Sequence, residues 1–325
     1  MWDGWGSGVD TIDSPPGTWD SPVAASGSDW GEHGVHKFAG WDCHWRRYGP
    51  RDGEALVLLH GFGACSGHWR GNVAGLAAAG FQIYALDLLG FGRSDQPGIA
   101  LDNRLWSRQL QHFLQHVVGA PAVLVGNSIG GLVALTTAVF RPELVRAVVA
   151  APLPDPSLLA PLPRRRSPWK RRWHRRLVTL GQALLRLPLP ALIWLLRQPP
   201  LLRLGLASAY HRLDRIDHDL LRLVGRPAAR PTAARSLNGM VRGMGLRPRA
   251  ATAPALLSRL ERPLLLLWGA RDRLVPPAVA RQVVQRAPRH LCRLHWLEAV
   301  GHCPHDEDPE AFNAALLAWL RPSTP

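Results

Sequence analysis

Short apolar runs recur along the chain, each closed by a turn rich in glycine or aspartate. Glu54 to His60, Phe81 to Leu88, Pro121 to Val125, Leu144 to Ala151, Pro263 to Trp268 and Leu291 to Leu297 are such runs. In Ala55-Leu-Val-Leu-Leu59 every position is apolar, not every second one, which is the pattern of a strand covered on both faces. Between the runs the period lengthens to that of a helix. Leu105, Leu110, Phe113, Leu114 and Val117 mark one helix from Leu101 to Val118. Others are predicted over His68 to Ala79, Leu132 to Phe140, Pro277 to Arg286 and residues 309–320. Val35 to Tyr48 reads as two further short strands around Gly40-Trp41-Asp42. Strands alternating with helices predict an α/β fold with a mostly parallel, doubly wound sheet. Reactive groups on such a sheet gather beyond the carboxyl ends of its strands.

The alternation stops at Pro152 and resumes at Pro263. Three parts follow from this: a disordered tail over 1–33, a core made of 34–152 and 263–325, and a helical cap over 153–262 inserted between two core strands. The tail is rich in Gly, Ser, Asp and Pro and holds no period of 2 or 3.6, as in segments that cannot bury a core. Charge sharpens the division. The chain carries a net +15, but residues 153–262 hold 21 Arg and one Lys against five acidic residues, a net +17, so the remainder is nearly neutral at −2.

The chemistry centres on Gly126-Asn-Ser-Ile-Gly130, a G-x-S-x-G match between a predicted strand and a predicted helix. A sharp strand-to-helix turn of this kind lifts its serine above the sheet. Gly126 and Gly130, two residues to either side, remove Cβ atoms that would keep strand and helix apart. The serine then lies at a helix N-terminus, where unpaired N–H groups favour negative charge. A serine hydroxyl needs a base, and the base needs an orienting acid. Ser128, Asp272 and His302 each follow a predicted strand, in the order nucleophile, acid, base. Backbone N–H groups of Phe62 and Ile129 are the predicted oxyanion donors, with His60 and Gly61 supporting the Phe62 loop.

Rival assignments exist. Asp155 also follows a strand and is an alternative acid. His305 is close to His302, but Pro304 and the acidic Asp306-Glu307-Asp308 predict a surface or capping histidine that starts the closing helix. Ser94 and Asp95 are expected to tie down a turn. His302, Cys303 and His305 are metal-ligand types, but no partner cluster accompanies them, so no metal site is expected. Cys43, Cys65, Cys292 and Cys303 form no C-x-x-C pair and read as free thiols of a reducing compartment. The opening Met1-Trp-Asp-Gly-Trp lacks the basic and apolar regions of a signal peptide. No run approaches the roughly 20 apolar residues of a membrane-spanning helix. A cytoplasmic protein, or one held peripherally on a membrane, is expected.

His60-Gly-Phe-Gly-Ala, Asp87-Leu-Leu-Gly-Phe-Gly-Arg-Ser, Gly126-Asn-Ser-Ile-Gly-Gly and Gly301-His-Cys-Pro-His-Asp-Glu resemble the α/β-hydrolase superfamily. They look most like its plant and cyanobacterial branch, which includes pheophytinase and chlorophyll dephytylase. The resemblance covers residues ~34–152 and ~263–325 and leaves the cap, which sets substrate choice, unmatched. It implies a serine esterase that works without a cofactor and, in that branch, releases phytol; in a phototroph the membrane would be the thylakoid. C–C hydrolases and cofactor-free haloperoxidases use the same three residue types, so both stay open beside the ester reading. Epoxide hydrolases and dehalogenases of this fold place Asp where Ser128 stands. A non-catalytic membrane-surface binder is the remaining alternative.

The cap adds a predicted partner. Residues 164–176 carry eight cations in 13 positions, and Trp173, Leu177, Leu180, Leu184 and Leu187 then recur at helical spacing. A basic amphipathic helix reads as an interfacial element, and each cation near an anionic surface contributes about 1 kcal/mol. Residues 164–187 are therefore expected to touch anionic membrane while the site takes a hydrophobic small-molecule ester. The basic run carries no nucleic-acid-binding motif, so nucleic acid is the weaker expectation.

Overall fold

All eight strands expected from the pattern form, and they share one sheet. The computed structural model describes residues 27–159 and 189–321, together with Trp169, Arg172, Trp173 and Arg176. The strands are β1 (Glu32–Phe38), β2 (Trp41–Tyr48), β3 (Glu54–Leu59), β4 (Phe81–Leu86), β5 (Ala122–Asn127), β6 (Val145–Ala151), β7 (Leu264–Gly269) and β8 (Cys292–Leu297). Their order is β1-β2-β4-β3-β5-β6-β7-β8. The β1–β2 and β2–β4 pairs are antiparallel, and every pair from β4 to β8 is parallel.

The continuous apolar runs have a direct cause. Successive side chains of a strand point to opposite faces. Val57 and Leu59 join one core cluster, and Leu56 and Leu58 join the other; Leu264 and Leu266 face one side, Leu265 and Leu267 the other. The first cluster is covered by α2 (Asn103–Phe113), α3 (Ile129–Phe140) and α9 (Pro277–Arg286), the second by α1 (Val73–Ala78) and α11 (Pro309–Leu320). α3 is apolar all round and buried from Gly130 to Ala138, as a helix inside a large core is.

Differences from expectation are local. The helix predicted over His68 to Ala79 is a 3₁₀ turn (Ser66–Trp69) followed by α1; between them Gly71 makes room for the ring of Pro309. The boundary predicted at residue 33 falls too late. β1 already begins at Glu32, and Trp30 is fully buried beneath the Arg46 guanidinium. Residues 1–26 lie outside the described residues.

The described part of 153–262 contains no strand. Its α-helices described over their full length are α4 (Leu189–Leu196), α5 (Pro199–Ala209), α6 (His218–Ala229), α7 (Ala233–Leu246) and α8 (Ala253–Leu257). α8 packs on α3, and Ala253, Leu256 and Leu257 belong to the main core, so the chain rejoins the core before residue 262. Most of 164–187, where the interfacial helix was predicted, lies outside the described residues.

Buried histidines make stability depend on pH. Burial, reinforced by His112, holds His36 down to about 4 from 6.5. Burial also lowers His60 and His305. The unfolded chain then binds more protons than the folded one between about pH 6.5 and 4 for His36, so stability falls as pH falls through that window. Calorimetry should show the melting temperature declining from pH 7.5 to 5; a flat profile would contradict these assignments.

Candidate active site

β5 ends in a turn that an ordinary sequence could not make. Ser128 has φ 53° and ψ −118°, a region costly for any residue with a Cβ. A Cβ on Gly126 would collide with the backbone of Gly130 and Gly131, and one on Gly130 would strike the Leu59 carbonyl. Both glycines are therefore required by close approach. Ile129 is the first residue of α3, so its N–H has no acceptor within the helix.

The loop after β3 packs directly on this turn. A Cβ on Gly61 would strike the Asn127 side chain. His60 is fully buried; its Nδ1–H donates to the Gly61 carbonyl at 2.7 Å, and its Nε2 accepts from the Leu88 N–H at 3.0 Å. Both nitrogens are thus committed, and burial keeps the ring neutral. His60 braces the loop that carries Phe62. Asp87, held as a carboxylate well below its usual range by its bonds to His44 and the Arg93 N–H, fixes the neighbouring loop. Ser94 donates to the Asp87 carbonyl and accepts from the His44 N–H, and Asp95 accepts from the Asp42 N–H; they tie the turn down.

The loops after β7 and β8 bring Asp272 and His302 together. His302 Nδ1–H donates to Asp272 Oδ2 at 2.9 Å. Asp272 Oδ1 accepts from the N–H groups of Leu274 (2.8 Å) and Val275 (2.9 Å), so the carboxylate is oriented from both ends. A proton fixed on Nδ1 leaves the Nε2 lone pair free to act as a base. The loops are stitched to the serine turn by Asn127, whose Nδ2 donates to the His302 carbonyl at 3.0 Å and also to the Ala151 carbonyl. Sequence reasoning missed Asn127, since its partner lies 175 residues away.

Glu307 was missed as well. Buried at the start of the closing region, it accepts through Oε1 from Gly301 N–H (2.8 Å) and Cys303 N–H (3.3 Å), the two amides flanking His302. Its Oε2 accepts from the N–H groups of His211 and Arg212 at the cap's edge, and His302 N–H donates to the Ala209 carbonyl. The histidine loop and the cap are thereby one hydrogen-bonded unit.

Asp155 does not reach the site. It pairs with Arg247 at 2.8 Å and accepts from Ser157 and the Ala253 N–H, which ties the cap's start to its end. The expectation for His305 is corrected: it is fully buried in a short helix, α10 (Pro304–Glu307), and its ring lies 4.2 Å from that of Trp69. Its Nε2 meets His68 Nδ1 at 3.3 Å; His68 Nε2 bonds Tyr210, and Tyr210 donates to Asp306, which also pairs with Arg70. Ring contacts with Trp69 and Phe312, together with the bond to His68, explain why a histidine beside Asp306 is buried and not capping. Among the described residues no group of His, Cys, Asp or Glu is arranged to hold a metal. Burial pushes the Cys43 and Cys65 thiols up to about 12, Cys292 to about 11 and Cys303 well above its usual value, so these thiols are inert as nucleophiles.

A cavity of about 220 Å³ lies beside Phe62 and Phe91, under the cap. Its lining from α4, α6 and α7 is mostly aliphatic, with Gln96, Arg197 and Ser236 as its polar side chains. Gln96 is bonded to the Pro227 carbonyl and to Thr232, whereas the buried Ser236 Oγ has no hydrogen-bond partner.

Comparison with known proteins bears on the family and the fold. A family model described as "Alpha/beta hydrolase family" matches residues 56–315. The chain is 26% identical to "Pheophytinase, chloroplastic" of Arabidopsis thaliana over 83% of its own length, but spans only 62% of that protein. It is 29% identical to a 2-hydroxy-6-oxononadienedioate/2-hydroxy-6-oxononatrienedioate hydrolase of Burkholderia vietnamiensis, covering 82% of this chain and 87% of that one. The crystal structure of a bacterial membrane phospholipase A superposes with a TM-score of 0.68 at 24% identity, over 89% of this chain and 85% of that one, a likeness of fold.

Proposed function

The chain belongs to the alpha/beta hydrolase family, and from that premise we propose that it is a serine hydrolase that cleaves a carboxylic ester of a bulky apolar substrate. The observation that carries this reading is the Asp272–His302 bond, held beside the strained Ser128 turn by Asn127. His302 Nε2 takes the Ser128 proton as Oγ attacks the ester carbonyl. The Ile129 and Phe62 N–H groups receive the oxyanion, and Asp272 stabilises the imidazolium. Collapse expels the alcohol, protonated by His302. Water, activated by the same histidine, then releases the acid and restores Ser128.

The aliphatic cavity supports the apolar substrate. With p-nitrophenyl esters from acetate to decanoate, kcat/KM should rise with each added methylene by up to about fourfold, since each buried CH₂ contributes about 0.8 kcal/mol. A profile that falls with chain length would contradict it. A phytyl ester of a chlorophyll-type pigment is the form of this substrate suggested by the resemblance to pheophytinase.

A second reading, a C–C hydrolase, has one observation in its favour. Arg197 and the unpartnered Ser236 hydroxyl on the cavity wall suit a substrate bearing a carboxylate and an oxo group, as the name of the Burkholderia relative describes for that protein. Cleavage of a 2-hydroxy-6-oxo-dienoate faster than any ester in the series would replace the ester reading with this one.

A further inference from the structure

We propose that the cap docks on an anionic lipid surface through α4 and α5, so that the apolar cavity beneath them opens toward lipid. The inference deepens the ester reading by naming where the substrate is met.

α4 is Leu-Pro-Ala-Leu-Ile-Trp-Leu-Leu, an eight-residue helix with no polar side chain, yet none of its residues is buried. α5 has Arg203 and Ser208 as its polar side chains, and it too has no buried residue. Trp194 is 57% exposed and Leu204 69% exposed. Soluble domains seldom leave such contiguous apolar surface uncovered without a partner. The two helices touch each other and also roof the cavity, to which Ile193, Leu196 and Leu202 contribute. One sheet of side chains therefore faces the substrate space on one side and open surroundings on the other.

Charge selects the occupant. The segment that contains these helices carries +17 while the rest of the chain carries −2. Trp169 is 65% exposed, and Trp173, Arg172 and Arg176 are exposed as well. Tryptophan favours the membrane–water boundary, and arginine there is drawn to anionic headgroups. A protein partner would need matching acidity and shape, whereas a lipid surface needs only apolar depth and negative charge. No helix among the described residues is long and apolar enough to cross a membrane, so the contact is peripheral.

The test is co-sedimentation of the full chain with vesicles of phosphatidylcholine alone or with 30% phosphatidylglycerol, beside hydrolysis of soluble p-nitrophenyl butyrate. Wild type should bind the anionic vesicles at least tenfold more tightly than the neutral ones, and less tightly as salt rises. The double variant Trp194→Glu/Leu204→Glu should lose at least tenfold in binding and keep its butyrate activity. Neither residue lines the cavity. Equal binding by the variant, or equal binding to neutral and anionic vesicles, would overturn the proposal. So would a wild-type chain that dimerises through this face, seen as a monomer only in the variant. Loss of butyrate hydrolysis in wild type would instead count against the hydrolase reading, leaving vesicle binding to be judged separately.

Discussion

Replacing Ser128 with alanine is expected to lower kcat/KM for an ester roughly 10⁴- to 10⁶-fold, the scale on which a triad acts as one unit. The loss should be chemical and not structural. Serine and alanine carry the same Cβ, so the strain at φ 53° is unchanged and the melting temperature should hardly move. Ser128→Gly gives the sharper contrast. Glycine adopts positive φ without steric cost, and relief of a strained turn is worth on the order of 1 kcal/mol or more. That variant should be as inactive as alanine and more stable than wild type. Activity assays beside thermal melts of the two variants check this; retention of more than about a hundredth of the activity in either would remove Ser128 from the nucleophile's role.

Asp272→Asn is expected to lower kcat by about 10⁴-fold, because an amide cannot hold the Nδ1–H tautomer or stabilise the imidazolium. Asp155→Asn supplies the comparison. Asp155 is buried against Arg247 and the Ala253 N–H, and breaking such a pair costs about 3–5 kcal/mol of stability. The Asp155 variant should therefore melt early yet retain kcat within about tenfold per folded molecule, since it touches none of the triad. Steady-state kinetics at a temperature where both variants are folded separates the two carboxylates. The reverse pattern would make Asp155 the acid.

The sheet was legible because its central strands are covered on both faces, and that imposes unbroken apolar runs no helix or half-exposed strand would need. The positions of Ser128, Asp272 and His302 beyond strand ends were legible because each follows such a run. What escaped depends on distant partners. Nothing near Asn127 announces that its amide will hold a carbonyl 175 residues away, and Glu307 looked like one acid in a surface cluster until its four N–H donors were seen. His305 was misread for the same reason. The pocket of His68, Trp69 and Tyr210 that buries it joins two parts of the chain more than 140 residues apart. Trp30 was assigned to the tail because Gly and Ser surround it, although it joins the core cluster of Leu56, Leu58 and Trp69 beneath Arg46.

The activated serine is the claim on which the rest depends. Incubation of the full chain with a fluorophosphonate probe, followed by peptide mapping, tests it in one step. Stoichiometric labelling at Ser128 in wild type, abolished in Ser128→Ala and strongly slowed in His302→Ala, is the predicted result. Labelling that survives Ser128→Ala, or a wild-type chain that stays unlabelled in both buffer and detergent, would contradict the account.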